Sequence, residues 1–132
     1  ARRAGRTLAD FEIAAYVRTA VTDTPDPIRQ ALAREITGYA IVDAYARFFA
    51  DSGFAAEVEA VNAAWKAGDR AGAVGRISPR LLDALGVVGS AAFCRQRLAE
   101  FARAGLTMPV VFPFAPGPKP HEAILRTVRT FP

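Results

Sequence analysis

Residues 108–114 read Met-Pro-Val-Val-Phe-Pro-Phe, an unbroken run with no charged side chain. A strand with one face in water alternates apolar and polar residues. A continuous apolar run therefore predicts a strand covered on both faces, as in a parallel sheet flanked by helices. The prolines are awkward in a central strand, because each lacks a ladder donor. Pro109 fits at the strand's start and Pro113 near its end.

The remaining segments supply the helices and strands that such a sheet needs. Residues 10–22 are rich in β-branched and aromatic residues, with partial alternation at Phe11, Ile13, Ala15 and Val17, and predict a first strand. Thr22-Asp23-Thr24-Pro25 suits a turn into a helix, with Thr24 or Asp26 as cap and Pro27 in the first turn. A helical region is expected over 27–84. Ile28, Leu32 and Ile36 mark one buried face, and Gly38 is expected to weaken or break the helix. Ile41, Tyr45, Phe48 and Phe49 continue the periodicity, and Gly53 is the candidate left-handed residue that ends it. Val58, Val61 and Trp65 mark another helix closed by Gly68, and Tyr45 and Trp65 read as core residues. Asp69 can start a short helix, and Ser78-Pro79 gives a cap with proline at the first helical position. Leu85 to Gly89 is a minimal strand. Ser90 then caps a helix carrying Phe93, Leu98 and Phe101, which Gly105 ends. After the 108–114 strand comes a loop over 115–120 and a last helix over 121–130, expected to bury Ile124, Leu125 and Val128. Strand, helices, strand, helix, strand, helix is the order of a parallel α/β protein.

Composition narrows the class. The chain is 132 residues long, 52% hydrophobic and 23% charged, which is ordinary for a globular domain and unlike a disordered one. No apolar run approaches the roughly 20 residues of a membrane span, and no signal peptide is expected, because residues 1–20 lack a basic start followed by an apolar middle. The first residue is Ala1, which fits a processed, truncated or partial chain as well as simple loss of the initiator Met. The net charge is +4, but much of the excess sits in Arg2, Arg3 and Arg6. Elsewhere basic residues interleave with acidic ones and not with aromatics, so no nucleic-acid partner is expected. The single cysteine, Cys94, can form no intramolecular disulfide and anchors no metal set. It reads as a packing residue in a cytoplasmic protein. No Gly-rich phosphate loop, catalytic carboxylate pair or nucleophile elbow appears.

Three segments carry a family resemblance. Residues 11–23 resemble a late barrel strand of the luciferase-like monooxygenase superfamily. Residues 54–70, Phe-Ala-Ala-Glu-Val-Glu-Ala-Val-Asn-Ala-Ala-Trp-Lys-Ala-Gly-Asp-Arg, resemble the helical segment before the seventh strand in actinobacterial members. Val87-Val88-Gly89-Ser90, the helix around residues 95–101 and the run 105–114 resemble the closing strand-helix-strand. The likeness runs from about Asp10 to the end. Ala91-Ala92 depart from the proline or acidic pair usual after Gly89-Ser90. The resemblance implies an α/β, helix-rich C-terminal portion of a (β/α)8 barrel, about strands six to eight with a helical insertion. The chain would be a single partial domain, residues 1–9 a basic lead and 10–132 the barrel part. A complete barrel needs about 250 residues, so the first five strands, which in relatives make most cofactor contacts, would lie elsewhere.

The implied activity is oxidoreduction with flavin mononucleotide (FMN) or coenzyme F-420: hydride transfer to or from a small organic substrate, or its monooxygenation. The alternative is a barrel remnant without catalysis, acting as an oligomerisation or interaction module. The implied partners are the missing barrel portion or another copy of the chain, a homo-oligomer, with no membrane partner. Barrel chemistry sits where strands end, here Thr22-Asp23, Gly89-Ser90 and 112–117. Phe112 and Phe114 would line the substrate side of an isoalloxazine-like ring, or else fill the barrel core. Gly89 and Ser90 would hold a phosphate at a helix start, or else simply cap it. Lys119 and Arg126 would neutralise an anionic substrate or cofactor tail, or else belong to a solvated helix face. His121 would be a general acid or base, or else a surface residue without a carboxylate partner.

Overall fold

A computed structural model of the chain describes Arg3, Gly5, Thr7, Ala9 and residues 11–131. Arg2 and Arg6 of the basic lead, and Asp10 at the expected start of the first strand, lie outside the described residues. The elements in order are β1 (Ala14–Val21), α1 (Pro25–Ala40), α2 (Asp43–Phe49), α3 (Ala55–Lys66), α4 (Arg70–Gly75), α5 (Pro79–Leu85), β2 (Gly86–Gly89), α6 (Ala91–Arg103), β3 (Met108–Pro113) and α7 (Pro120–Val128). They form two compact units, one holding residues up to Asp23 and from Val87 onward, the other Thr24–Gly86. Among the described residues no helix is long and apolar enough to cross a membrane.

The first unit is built on a three-stranded sheet in the order β2-β1-β3, with β1 and β3 parallel and Ala14 in register with Met108. Alternation along β1 sends Val17, Thr19 and Val21 to one face. There Val17 and Val21 join Val87, Cys94 and Leu98 in a buried cluster, with Val111, Phe101 and Phe131 packed against it. Each large apolar side chain buried there contributes roughly 1.5–3 kcal/mol. The expected helix thus exists as α6, but its buried stripe is Cys94, Leu98 and Phe101, while Phe93 stays on the outside, 39% exposed.

Two expectations for this unit are corrected. The 108–114 run is a strand, but it is not covered on both faces: Met108 and Phe112 are 40% and 49% exposed. Its odd-numbered Val111 meets the α6 cluster, and its even-numbered side chains have no comparable cover. Nor is the strand order that of three consecutive barrel strands, which would place β2 between β1 and β3. No closed barrel is formed among the described residues. β1 is the longest of the three strands, and β3 pairs along the edge that β2 leaves open. In α7, Ile124 and Val128, expected to be buried, are exposed, and the buried residue is Thr127.

The second unit is all helix. Leu32 and Ile36 of α1 are buried with Val58 and Val61 of α3, Ala73 of α4 and Leu81 and Leu82 of α5, while Ile28 is half-buried. Short helices are marginal alone, and polar clamps fix these. Glu57 of α3 accepts from Ser78 N (2.6 Å) and from Ser78 Oγ (3.0 Å), and that hydroxyl accepts from Leu81 N at the start of α5. Asn62 Nδ2 donates to Ala40 O at the end of α1 and to Val58 O, 2.9 Å each. Arg29 meets Asp83 at 2.7 Å. Asp69 caps α4 by accepting from Gly72 N, and Thr24 precedes α1 without a side-chain cap, Pro25 filling the first position. Trp65 is half-buried under the guanidinium of Arg70, 3.6 Å above its ring. Tyr45 and Phe48 are surface residues, 47% and 60% exposed, because the buried side of α2 is the Phe49 side.

The two glycines flagged in this region behave oppositely. α1 runs through Gly38 without a break and ends two residues later. Gly53 has φ of 89° inside the π-turn Ala50–Phe54 that joins α2 to α3. An added Cβ meets nothing within 4 Å at Gly38. Gly38→Ala should therefore stabilise the chain by about 0.5–1 kcal/mol. Gly53→Ala should destabilise it by roughly 1–2 kcal/mol, the cost of a left-handed L-residue. Urea denaturation of the two variants against the parent chain measures both signs.

Candidate functional site

The strands of the first unit bring their C-terminal ends to one edge. β1 and β3 are parallel, and the residue after β1, Thr22, donates its N–H to Gly89 O at the end of β2 (2.8 Å). Phe114, just past β3, donates its N–H to Thr19 O (2.8 Å). The expected positions Thr22-Asp23, Gly89-Ser90 and 112–117 therefore do converge, and α7 closes the same end. Val21 N, beyond the last rung of β3, donates instead to Thr127 Oγ1 (3.2 Å), and that hydroxyl donates to Ala123 O (2.9 Å). Thr127 is 2% exposed, so its hydroxyl satisfies a buried amide that would otherwise go unpaired.

Each expected site residue can now be placed. Ser90 is an N-cap, its Oγ accepting from Phe93 N (3.2 Å). Gly89 is buried beneath the Phe93 ring, where an added Cβ would come within 2.8 Å of Cδ1. Phe112 lies on the sheet face away from the α6 cluster and meets Tyr16 edge-on, ring centroids 6.1 Å apart. Phe114 shares that parity and is half-buried. Arg126 reaches Asp23 at 3.9 Å, and Lys119 reaches Glu122 at 3.5 Å, both pairs largely exposed. His121 is exposed in the first turn of α7. Sequence reasoning missed Tyr16, whose signal was its position in an alternating strand, and Thr127, for which no local signal exists.

Cys94 sits under this edge, fully buried, with Sγ 3.5 Å from Gly89 O, 3.7 Å from Ala20 O and 4.0 Å from Val87 O. Burial pushes the thiol up from its ordinary 9.0, only partly offset by the Gly89 contact and by Arg95. The packing role expected from the sequence is what the geometry provides.

Tyr16 and Phe112 present an exposed aromatic surface on the open sheet face. An anion-binding site is not assembled beside it. The Ser90 hydroxyl is engaged with its own helix, Phe93 covers Gly89, and Lys119 and Arg126 each stand beside a carboxylate, while Arg18 lies in register with Phe112 on β1. Among the described residues no cluster of three metal-ligating side chains exists. The residues present do not, by themselves, fit a complete flavin or deazaflavin site.

These features define a helix-rich α/β protein with a small parallel sheet whose strand ends gather at one edge. Residues 1–108 match the family model described as luciferase-like monooxygenase, and the chain belongs to that family of oxidoreductases. The match stops at the first residue of β3, short of the chain end to which the resemblance was extended. No curated protein matches the chain.

Two measurements probe this edge. Thr127→Val leaves Val21 N without its acceptor and should cost about 1–3 kcal/mol in urea denaturation. For Cys94, the folded chain holds the thiol proton more tightly than the unfolded chain. The stability this confers is fully present below the unfolded thiol's value and is lost as pH rises through the folded one. Stability measured from pH 7 upward should fall above about 9, and Cys94→Ala should flatten part of that fall.

Proposed function

We propose that this chain is the C-terminal part of an FMN- or coenzyme F-420-dependent oxidoreductase that acts on a small organic substrate by hydride transfer or monooxygenation. Its share of the work is to shape the substrate mouth, the main cofactor contacts being made by barrel strands outside this chain. The observation that carries the reading, beside the family match, is the sheet face bearing Tyr16, 75% exposed, and Phe112. In a barrel, the face turned away from the helices is the interior, where a planar ring or its substrate is held. The strand-end edge with Asp23, Ser90 and Arg126 would border that interior.

A second reading is favoured by the β2-β1-β3 order, which is not that of consecutive barrel strands. In it the chain is a remnant that has repacked and serves as a non-catalytic assembly module, a homo-oligomer through its open apolar face.

Native mass spectrometry of the protein isolated from its host, followed by the same sample denatured, separates the two. The oxidoreductase reading expects a denatured mass well above 14.1 kDa, or a companion chain, together with a flavin-sized ligand. It also expects the 132-residue chain alone to show no tight one-to-one binding when titrated with FMN or coenzyme F-420. Ligand-free chains of 14.1 kDa, single or oligomeric, would overturn it in favour of the assembly module.

A further inference from the structure

β3 is an edge strand in this sheet, and its prolines occupy a particular parity. Met108 N donates to Ile13 O (3.1 Å) and Phe114 N to Thr19 O (2.8 Å), at the two ends of the β1–β3 ladder. Backbone groups alternate sides along a strand, so the even-numbered residues of β3 face β1. The odd-numbered ones, Pro109, Val111 and Pro113, turn their backbones to the outer edge. Two of those three have no N–H to offer.

We propose that β3 is a sheet-terminating strand, its outer edge blunted by Pro109 and Pro113 so that it cannot template a further strand. Val111 N–H is the single outward donor of its six residues. An incoming strand, whether from a second copy of this chain or from another segment of the same protein, finds that donor flanked by two rungs that cannot form. Prolines placed this way are tolerated at an edge and excluded from a strand paired on both sides. The inference concerns what the edge refuses, and it weighs toward the assembly-module reading, because a closed barrel would need a further strand paired at β3.

The test restores the donors. Pro109→Val/Pro113→Val should make the chain associate at tens of micromolar, read as a rise in weight-average mass by sedimentation, where the parent's mass distribution does not change. An unchanged distribution in the folded double variant overturns the proposal. Should that variant fail to fold, amide hydrogen exchange in the parent chain decides. Val111 should exchange about a hundredfold or more faster than Val110 and Phe112, whose amides lie in the ladder. Protection of Val111 equal to theirs overturns it.

Discussion

The first unit depends on β1 having partners on both edges and on one face at once. Its odd-numbered backbone groups serve β3, its even-numbered ones serve β2, and its odd-numbered side chains Val17 and Val21 meet α6. Such a strand leaves little freedom to its neighbours. α6 approaches closely at Gly89, where the Phe93 ring lies in the space a Cβ would need. Ala20 and Gly89 put their carbonyls within 3.7 Å of Cys94 Sγ. A larger side chain at position 94 would have to displace backbone rather than other side chains, which is costly in a close-packed interior. The Thr127 hydroxyl completes β1 where β3 has already turned away. α7 is therefore tied to the sheet by a backbone need of β1.

The helical unit solves a different problem. α4 and α5 have 6 and 7 residues, too few to persist on propensity. Their ends are held by groups that satisfy backbone donors and acceptors: Asp69 at α4, Ser78 at α5, Asn62 at the end of α1. Glu57 links two of these helices by accepting both from the Ser78 amide and from its hydroxyl. The half-buried carboxylate is thereby used at both oxygens. Packing of Leu32, Val61 and Leu81 supplies the driving force, and these polar contacts set the register in which it is realised.

Much of this was legible in the sequence, and the reasons are local. Ser78, Asp69 and Ser90 were readable as caps because capping depends on one side chain and the next three residues. Gly53 was readable as a stop for the same kind of reason, whereas Gly38 does not break α1, because tertiary packing of that helix outweighs the glycine's small propensity cost. The three strands were found from their apolar content, β1 starting four residues later than expected. Their order was not legible, since strand neighbours are set by contacts distant in sequence. The burial of 108–114 was overestimated because a strand carrying apolar side chains on both faces looks the same whether or not both faces are covered within the chain. That Asp23 and Ser90 share the strand-end edge followed from the parallel-strand rule, whereas Arg126 beside Asp23 depends on the packing of α7. Tyr16 against Phe112 could not follow from it, being a diagonal contact fixed by register.

The open face is where fold and function meet. Tyr16, Met108 and Phe112 together expose apolar surface on a sheet already covered on its other side. The edge-on contact of Tyr16 with Phe112 shields part of each ring, but exposed apolar area still forgoes about 25 cal/mol for each Å² that could be buried. A lone three-stranded sheet with one clothed face gains nothing from aromatic residues on the other unless something is laid upon them. β3's outer edge, with two of its three outward positions proline, is a poor place for that addition. Growth by strand pairing at β3 is therefore disfavoured while cover of the face is favoured. That asymmetry directs any layer to the aromatic surface, the face on which the proposed function lays a ring or a substrate.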